Sequence, residues 1–154
     1  RAKRRGPGLN FDVELDPLFL VGEPDSLERA ITNLLDNAVK FSPAGGTITV
    51  RLKGDRLRIS DEGSGIADAD LPHVFDRFYR SETSRNTPGS GLGLSIVAQT
   101  IKAHGGWVKA GRSASGGAEF TIRLPGSNTA EEEAEITDAE GLALRQSVTK
   151  AANQ

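Results

Sequence analysis

The sequence predicts an α/β (α+β) two-layer sandwich, a mixed sheet of about five strands covered on one face by three helices. Two observations carry this. One long segment repeats its apolar residues at helical spacing, and five or six short stretches alternate apolar with polar residues as half-buried strands do. These elements do not follow the strict strand-helix alternation of a wholly parallel sheet. The 154 residues suffice for one domain; folding at that length buries about 70% of the unfolded surface.

The elements follow in order. Residues 1–8 (RAKRRGPG) read as a linker, and LNFDVEL (9–15) as a strand with Leu9, Phe11, Val13 and Leu15 on one face. Pro17 and Gly22 bracket a short apolar piece, Leu18 to Val21. From Pro24 a long helix is predicted, capped by Asp25 or Ser26, with Leu27, Ile31, Leu34, Leu35 and Ala38 inward and a stop at Ser42 and Pro43. TITVRLK and RLRISD, joined at Gly54 and Asp55, read as a hairpin ending at Asp61. DADLPHVFDRF is a short amphipathic segment in which Pro72 limits regular helix, and Tyr79 to Ser90 reads as a mobile loop. A further helix is predicted from about Leu92 to Ala103, with Leu94, Ile96, Val97 and Ile101 inward and a stop at Gly105 and Gly106. GWVKAGRS and AEFTIRL supply two more strands, and Pro125 with Gly126 closes a domain spanning 9–126. Residues 127–154 are acidic, with no apolar face, and are expected to be disordered or weakly helical.

Composition excludes several classes. The chain has no cysteine, which rules out disulfides and thiolate metal sites, and only two histidines, so a metal would be held by oxygen ligands. No apolar run approaches the roughly 18 residues of a membrane span. The Arg/Lys-rich start lacks the apolar segment of a signal peptide, so the chain as given is expected to be soluble and not exported. Net charge is -2, a near-balance that leaves no basic footprint for nucleic acid.

Three features carry chemistry. Asn33, Asn37 and Lys40 fall at i, i+4 and i+7 of the long helix, within a stripe roughly 60° wide that looks away from the core. This is either a solvated polar face or a set in which an Asn amide oxygen ligates a hard cation and Lys meets an anion, suited to Mg²⁺ bridging phosphates. DEGSG after a strand offers a carboxylate, Asp61, beside two glycines. Such a loop makes an ordinary turn, or it lets a planar ligand lie against backbone while Asp61 accepts a hydrogen bond from a group such as an adenine amino. GSGLGL (89–94) is a glycine-rich loop running into a helix, where free N–H groups favour phosphate. It fits neither GxxxxGK[ST] nor the dinucleotide fingerprint.

Taken together, these stretches resemble the ATP-binding catalytic domain of bacterial sensor histidine kinases, in the GHKL ATPase superfamily. NLLDNAVKF (33–41) resembles that family's N box, DEGSGI (61–66) its G1 box, FDRFYR (75–80) its F box and GSGLGLSIV (89–97) its G2 box. AHGGW (103–107) and the late Gly-Gly before a final strand ending in Leu-Pro match as well. The resemblance covers residues 9–125 and implies a Bergerat-type ATP-binding fold with ATP and Mg²⁺ as cofactors. It implies that Asn37 holds Mg²⁺, that Asn33 and Lys40 line the phosphate end, and that Asp61 reads adenine in a pocket shaped by Gly63, Gly65 and Ile66. Phe41 stands where the family often has Tyr beside the nucleotide. Arg80 is the candidate to neutralise the γ-phosphate, and Gly89, Gly91, Leu92 and Gly93 would form the lid hinge and the phosphate-facing helix start. Phe75 and Phe78 are expected as core aromatics under the lid, and His104 as a helix-end residue rather than a phosphoacceptor.

The resemblance further implies a protein histidine kinase acting in two-component signal transduction. Its partners would be the dimerisation and phosphoacceptor domain of the same kinase and, downstream, a response regulator. Neither His73 nor His104 resembles the acceptor's context, so the chain is expected to be a cytoplasmic catalytic domain cut from a longer, membrane-anchored, homodimeric sensor of the inner membrane. Hydrolytic members of the superfamily place a Glu general base where Asn33 stands; an amide cannot take that proton. The competing readings are a nucleotide-binding regulatory module without transfer activity and a serine/threonine anti-sigma kinase of the same superfamily.

Overall fold

The computed structural model describes residues 8–77 and 93–126. Residues 1–7 of the linker, the Tyr79–Ser90 loop and the acidic tail therefore lie outside the described residues. Among the described residues there are five strands: β1 (Asn10–Leu15), β2 (Thr47–Lys53), β3 (Arg56–Ser60), β4 (Trp107–Arg112) and β5 (Ala118–Arg123). They form one sheet in the order β1-β2-β3-β5-β4. β1 runs parallel to β2, from Asn10 opposite Thr47 to Leu15 opposite Leu52, and the other pairs are antiparallel. A parallel neighbour needs a crossover connection, and helix α1 (Pro24–Phe41) supplies it. Helix α2 (Gly93–Ala103) packs beside α1, giving two layers as expected.

Strand alternation sets which residues meet the helices. Ile48, Val50 and Leu52 of β2, Leu57 and Ile59 of β3, and Phe120 and Ile122 of β5 are buried against Leu27, Ile31, Leu34, Leu35 and Ala38 of α1 and Val97 and Ile101 of α2. Each fully buried Leu or Ile contributes about 1.5–3 kcal/mol relative to exposure. The opposite sheet face carries Thr49, Arg51, Arg58, Lys109 and Thr121, with Trp107 among them. β1 lies at the sheet edge, which leaves Phe11 and Leu15 only half-buried and Val13 exposed although all three share the predicted face. Arg51 fastens that edge: its Nη1 donates to the Asp12 carbonyl and its Nη2 to Asp12 Oδ2, both at 2.8 Å. That guanidinium holds the Asp12 carboxyl below its ordinary value.

Several expectations are corrected. The described residues contain two helices rather than three; the DADLPHVFDRF segment forms only a 3-10 turn, Leu71–His73, because Pro72 cannot donate to a longer ladder. The N-cap of α1 is Glu23, not Asp25 or Ser26, and no side chain of its own caps the helix. Pro24 at the first helical position explains the shift, since its missing N–H is one the helix would leave unpaired anyway. On α2, Ser95 is buried while Ile96, expected inward, is half-exposed.

Candidate functional site

Asp61 follows β3 directly, and the alternation that buries Leu57 and Ile59 turns its side chain to the same inner face, where it is only 3% exposed. Backbone fixes it from three sides. Its N–H donates to the Ala118 carbonyl at 2.9 Å, and its carbonyl accepts the Ser113 hydroxyl at 2.9 Å and the Ser115 hydroxyl at 3.3 Å. Its Oδ1 accepts the Gly63 N–H at 2.8 Å and the Ala118 N–H at 3.1 Å. Its Oδ2 has no hydrogen-bond partner among the described residues. Burial pushes the carboxyl above its ordinary value, and the Gly63 and Ala118 amides oppose that rise. A buried carboxylate with one free oxygen is an acceptor waiting for a donor.

The glycines around Asp61 are demanded first by backbone packing. A Cβ on Gly63 would strike the Phe41 carbonyl oxygen, and one on Gly65, whose φ is +80°, would strike the Gly116 carbonyl oxygen. Gly117 has no room for a side chain because its Cα lies against the Asp61 backbone. The DEGSGI loop is thus wedged between the end of α1 and the β4–β5 turn. Glu62 secures its near side by accepting the Thr47 N–H at 2.7 Å. Ile66, half-buried, packs on the core.

This wedge joins the Asp61 loop to the last turn of α1. Asn33 and Asn37 are half-buried on the helix and Lys40 is exposed, as their shared stripe away from the core requires. Lys40 Nζ lies 5.5 Å from the centroid of the half-buried Phe41 ring. Asn33 also meets the start of α2: its Nδ2 donates to the Gly93 carbonyl at 3.4 Å. Asn33, Asn37, Lys40, Phe41, Asp61, Gly63, Gly65, Ile66 and Gly93 therefore belong to one stretch of connected elements. Arg80, Gly89, Gly91 and Leu92 lie outside the described residues, as does Phe78. Phe75 meets Phe120 edge-on at 6.0 Å, a packing contact. Among the described residues no three His, Asp or Glu side chains group as a metal site.

Sequence reasoning missed Ser113 and Ser115, whose hydroxyls hold the Asp61 carbonyl across more than 50 positions of chain. No local pattern marks them. The Gly116-Gly117 pair before the last strand was the available signal, and Gly117 is what lets that turn approach Asp61.

Comparison with known proteins agrees with this architecture. A family profile described as histidine kinase-, DNA gyrase B-, and HSP90-like ATPase matches residues 22–128. Among curated proteins, the signal transduction histidine-protein kinase/phosphatase MprB of Mycobacterium sp. (strain KMS) is 43% identical over 135 residues. MprB of Mycolicibacterium smegmatis is 42% identical over 135 residues, 82% of this chain and 27% of that protein. The chain thus spans about a quarter of the length of the curated relatives it matches, 26% for the first, against 82% of its own. Among solved structures, a mycobacterial sensor histidine kinase MprB superposes with a TM-score of 0.78 at 39% identity, covering 84% of this chain and 91% of that one. The ATP-binding domain of PrrB from Mycobacterium tuberculosis gives 0.62 at 32% identity, covering 82% and 86%. From the mixed sheet backing two helices to the carboxylate at the end of β3, this chain belongs to the histidine kinase-, DNA gyrase B- and HSP90-like ATPase family.

Proposed function

We propose that the domain binds Mg-ATP and transfers the γ-phosphate to a histidine on the dimerisation and phosphoacceptor domain of a sensor histidine kinase. The observation that carries this reading is the Asp61 carboxylate, nearly buried, with Oδ1 held by two backbone amides and Oδ2 left to accept. An exocyclic adenine amino group is a donor of the right kind. The amide oxygens of Asn33 and Asn37 and the charge of Lys40 fit a phosphate-bridged cation. The bound nucleotide would supply the γ-phosphoryl group, and its cation would offset the charge on the phosphoryl oxygens.

The chain's own residues position and neutralise. Asp61 orients the base, with Gly63, Gly65 and Ile66 around it and Phe41 at its side; Asn37 offers a metal ligand. Lys40 and Arg80 bring positive charge to the phosphates, and the N–H groups of Gly89, Gly91, Leu92 and Gly93 add the donors of a helix start. Asn33 cannot take a proton from water, so the site holds the phosphoryl group without spending it on hydrolysis.

The MprB relatives, named histidine-protein kinase/phosphatases, favour this over the regulatory-module and anti-sigma readings. Full-length ShkA, solved in complex with AMPPNP, is 32% identical with a TM-score of 0.63. Residues 1–8 are read as a linker and 127–154 as an acidic tail. The parent is read as a membrane-anchored homodimer with its kinase domain in the cytoplasm, serving a response regulator.

The test is ATP labelled at the γ-phosphate, incubated with the domain alone, with a helical hairpin bearing the acceptor His, and with a hairpin carrying Gln there. Slow hydrolysis, negligible self-labelling and acid-labile label on the first hairpin, rising with its concentration, are expected. Brisk hydrolysis without an acceptor would move the protein to the ATPases.

A further inference from the structure

The sheet face turned away from the helices is not evenly charged. In the cross-strand register Lys53 stands opposite Arg56, Arg56 opposite Arg123, and Arg123 opposite Trp107, so one row across four strands reads Lys-Arg-Arg-Trp. The next row continues with Arg58, Thr121 and Lys109. Like charges placed directly opposite one another destabilise a sheet. Among the described residues two carboxylates offset these five cations: Asp55, 2.9 Å from Arg123 and 4.0 Å from Arg56, and Glu119, 3.3 Å from Arg58. The Trp107 ring gathers two of the cations, with Arg56 at 5.3 Å and Lys109 at 4.7 Å from its centroid. This surface suits an acidic partner.

We propose that the partner is the acidic segment 131–140 of this same chain, laid across the open sheet face. That segment holds five Glu and one Asp and no Lys or Arg, so its charge is opposite in sign to the face and greater than its excess. It also follows the row closely in the chain. β5 ends at Arg123, a member of the cationic row, and the described chain ends at Gly126, packed beside the Phe19 carbonyl. Five extended residues from Gly126 reach about 17 Å, and four strands at about 4.8 Å spacing span about 14 Å. The first glutamates can therefore reach the row. With few apolar residues in the segment, charge rather than burial holds it, and the association weakens as salt rises.

The chain carries its own reporter, since Trp107 is its only tryptophan. Quenching of its fluorescence by acrylamide, a neutral quencher indifferent to surface charge, is compared in the full chain and in a full-length variant with all six acidic residues of 131–140 changed to Gln or Asn. At about 50 mM salt the wild type is expected to be protected relative to the variant, and at about 0.5 M the difference should vanish. Carbodiimide cross-linking should join Lys53 or Lys109 to carboxylates of 131–140 within monomers. The double variant Lys53→Glu, Lys109→Glu, which leaves the Asp55–Arg123 pair intact, should lose the protection as well. Equal quenching of wild type and tail variant, protection that survives the double variant, or cross-links confined to dimers would each overturn the proposal.

Discussion

The ring of His104 joins the two helices: its Nε2 accepts the backbone N–H of Glu23 at 3.1 Å while its Nδ1 donates to the Thr100 carbonyl at 2.8 Å. Both bonds together select the neutral tautomer with its proton on Nδ1. Glu23 is the N-cap of α1 and offers no side-chain cap, so an imidazole from the end of α2 takes one of the donors there. Gly22 accommodates it, for a Cβ at that position would meet the His104 ring at 2.7 Å.

His104→Ala is therefore expected to lower folding stability by about 1–2 kcal/mol, the cost of an orphaned N–H at a helix start together with the lost bond to Thr100. Urea denaturation measures it. A change within a few tenths would mean the bridge contributes nothing net.

Asp61→Asn should keep the fold, because the amide oxygen can still accept from Gly63 and Ala118. Its NH₂ would then stand where Oδ2 stood and present a donor to the donor of adenine. The mismatch should cost about 1–3 kcal/mol, roughly 5- to 150-fold in affinity for ATP and ADP alike. Calorimetric titration returning wild-type affinity would remove Asp61 from the nucleotide site.

The same residue makes stability depend on acidity. The folded state holds the Asp61 carboxyl above its ordinary 3.8, so folding favours the protonated form. Its contribution is whole below that ordinary value and is lost as pH rises through the raised one. The stability of wild type minus that of Asp61→Asn should fall across this acid window and then level off. A difference that grows with pH would show that the Gly63 and Ala118 amides outweigh burial.

Gly117→Ala tests the support beneath the site. The new methyl would be driven into the Asp61 backbone, which cannot swing aside as a flexible side chain could, and a loss of about 1–3 kcal/mol is expected. Gly111→Ala, on the neighbouring strand, meets nothing within 4 Å and should be close to neutral. Equal effects in thermal melts would mean the close approach at Gly117 is relieved by shifts elsewhere.

Local chemistry made most of this legible. The helical repeat of Leu27 to Ala38, the Gly54-Asp55 turn and the alternation of β2, β3 and β5 are short-range patterns, and each is realised in the structure. The stripe of Asn33, Asn37 and Lys40 follows from helix geometry alone. What escaped reading depends on contacts distant in sequence. The N-cap falls at Glu23, ahead of Pro24, and the partner of its N–H, His104, lies 81 positions away. The backbone carbonyls of Phe41 and Gly116, the atoms nearest Gly63 and Gly65, are named by no local pattern. Ile96, expected inward, is half-exposed because the neighbours of α2, not its own periodicity, decide which side is covered.

The pairing of β3 with β5 has one more consequence. Asp61 and Ala118 are hydrogen-bonded in both directions, so the chain between them, α2 and β4 included, starts and ends at a single point of the sheet. For a flexible loop whose ends are already tied, closure entropy grows only with the logarithm of length, and even doubling it costs about 0.6 kcal/mol. An insertion or deletion in such a loop thus carries little thermodynamic penalty, while the sheet that anchors it tolerates no change of register.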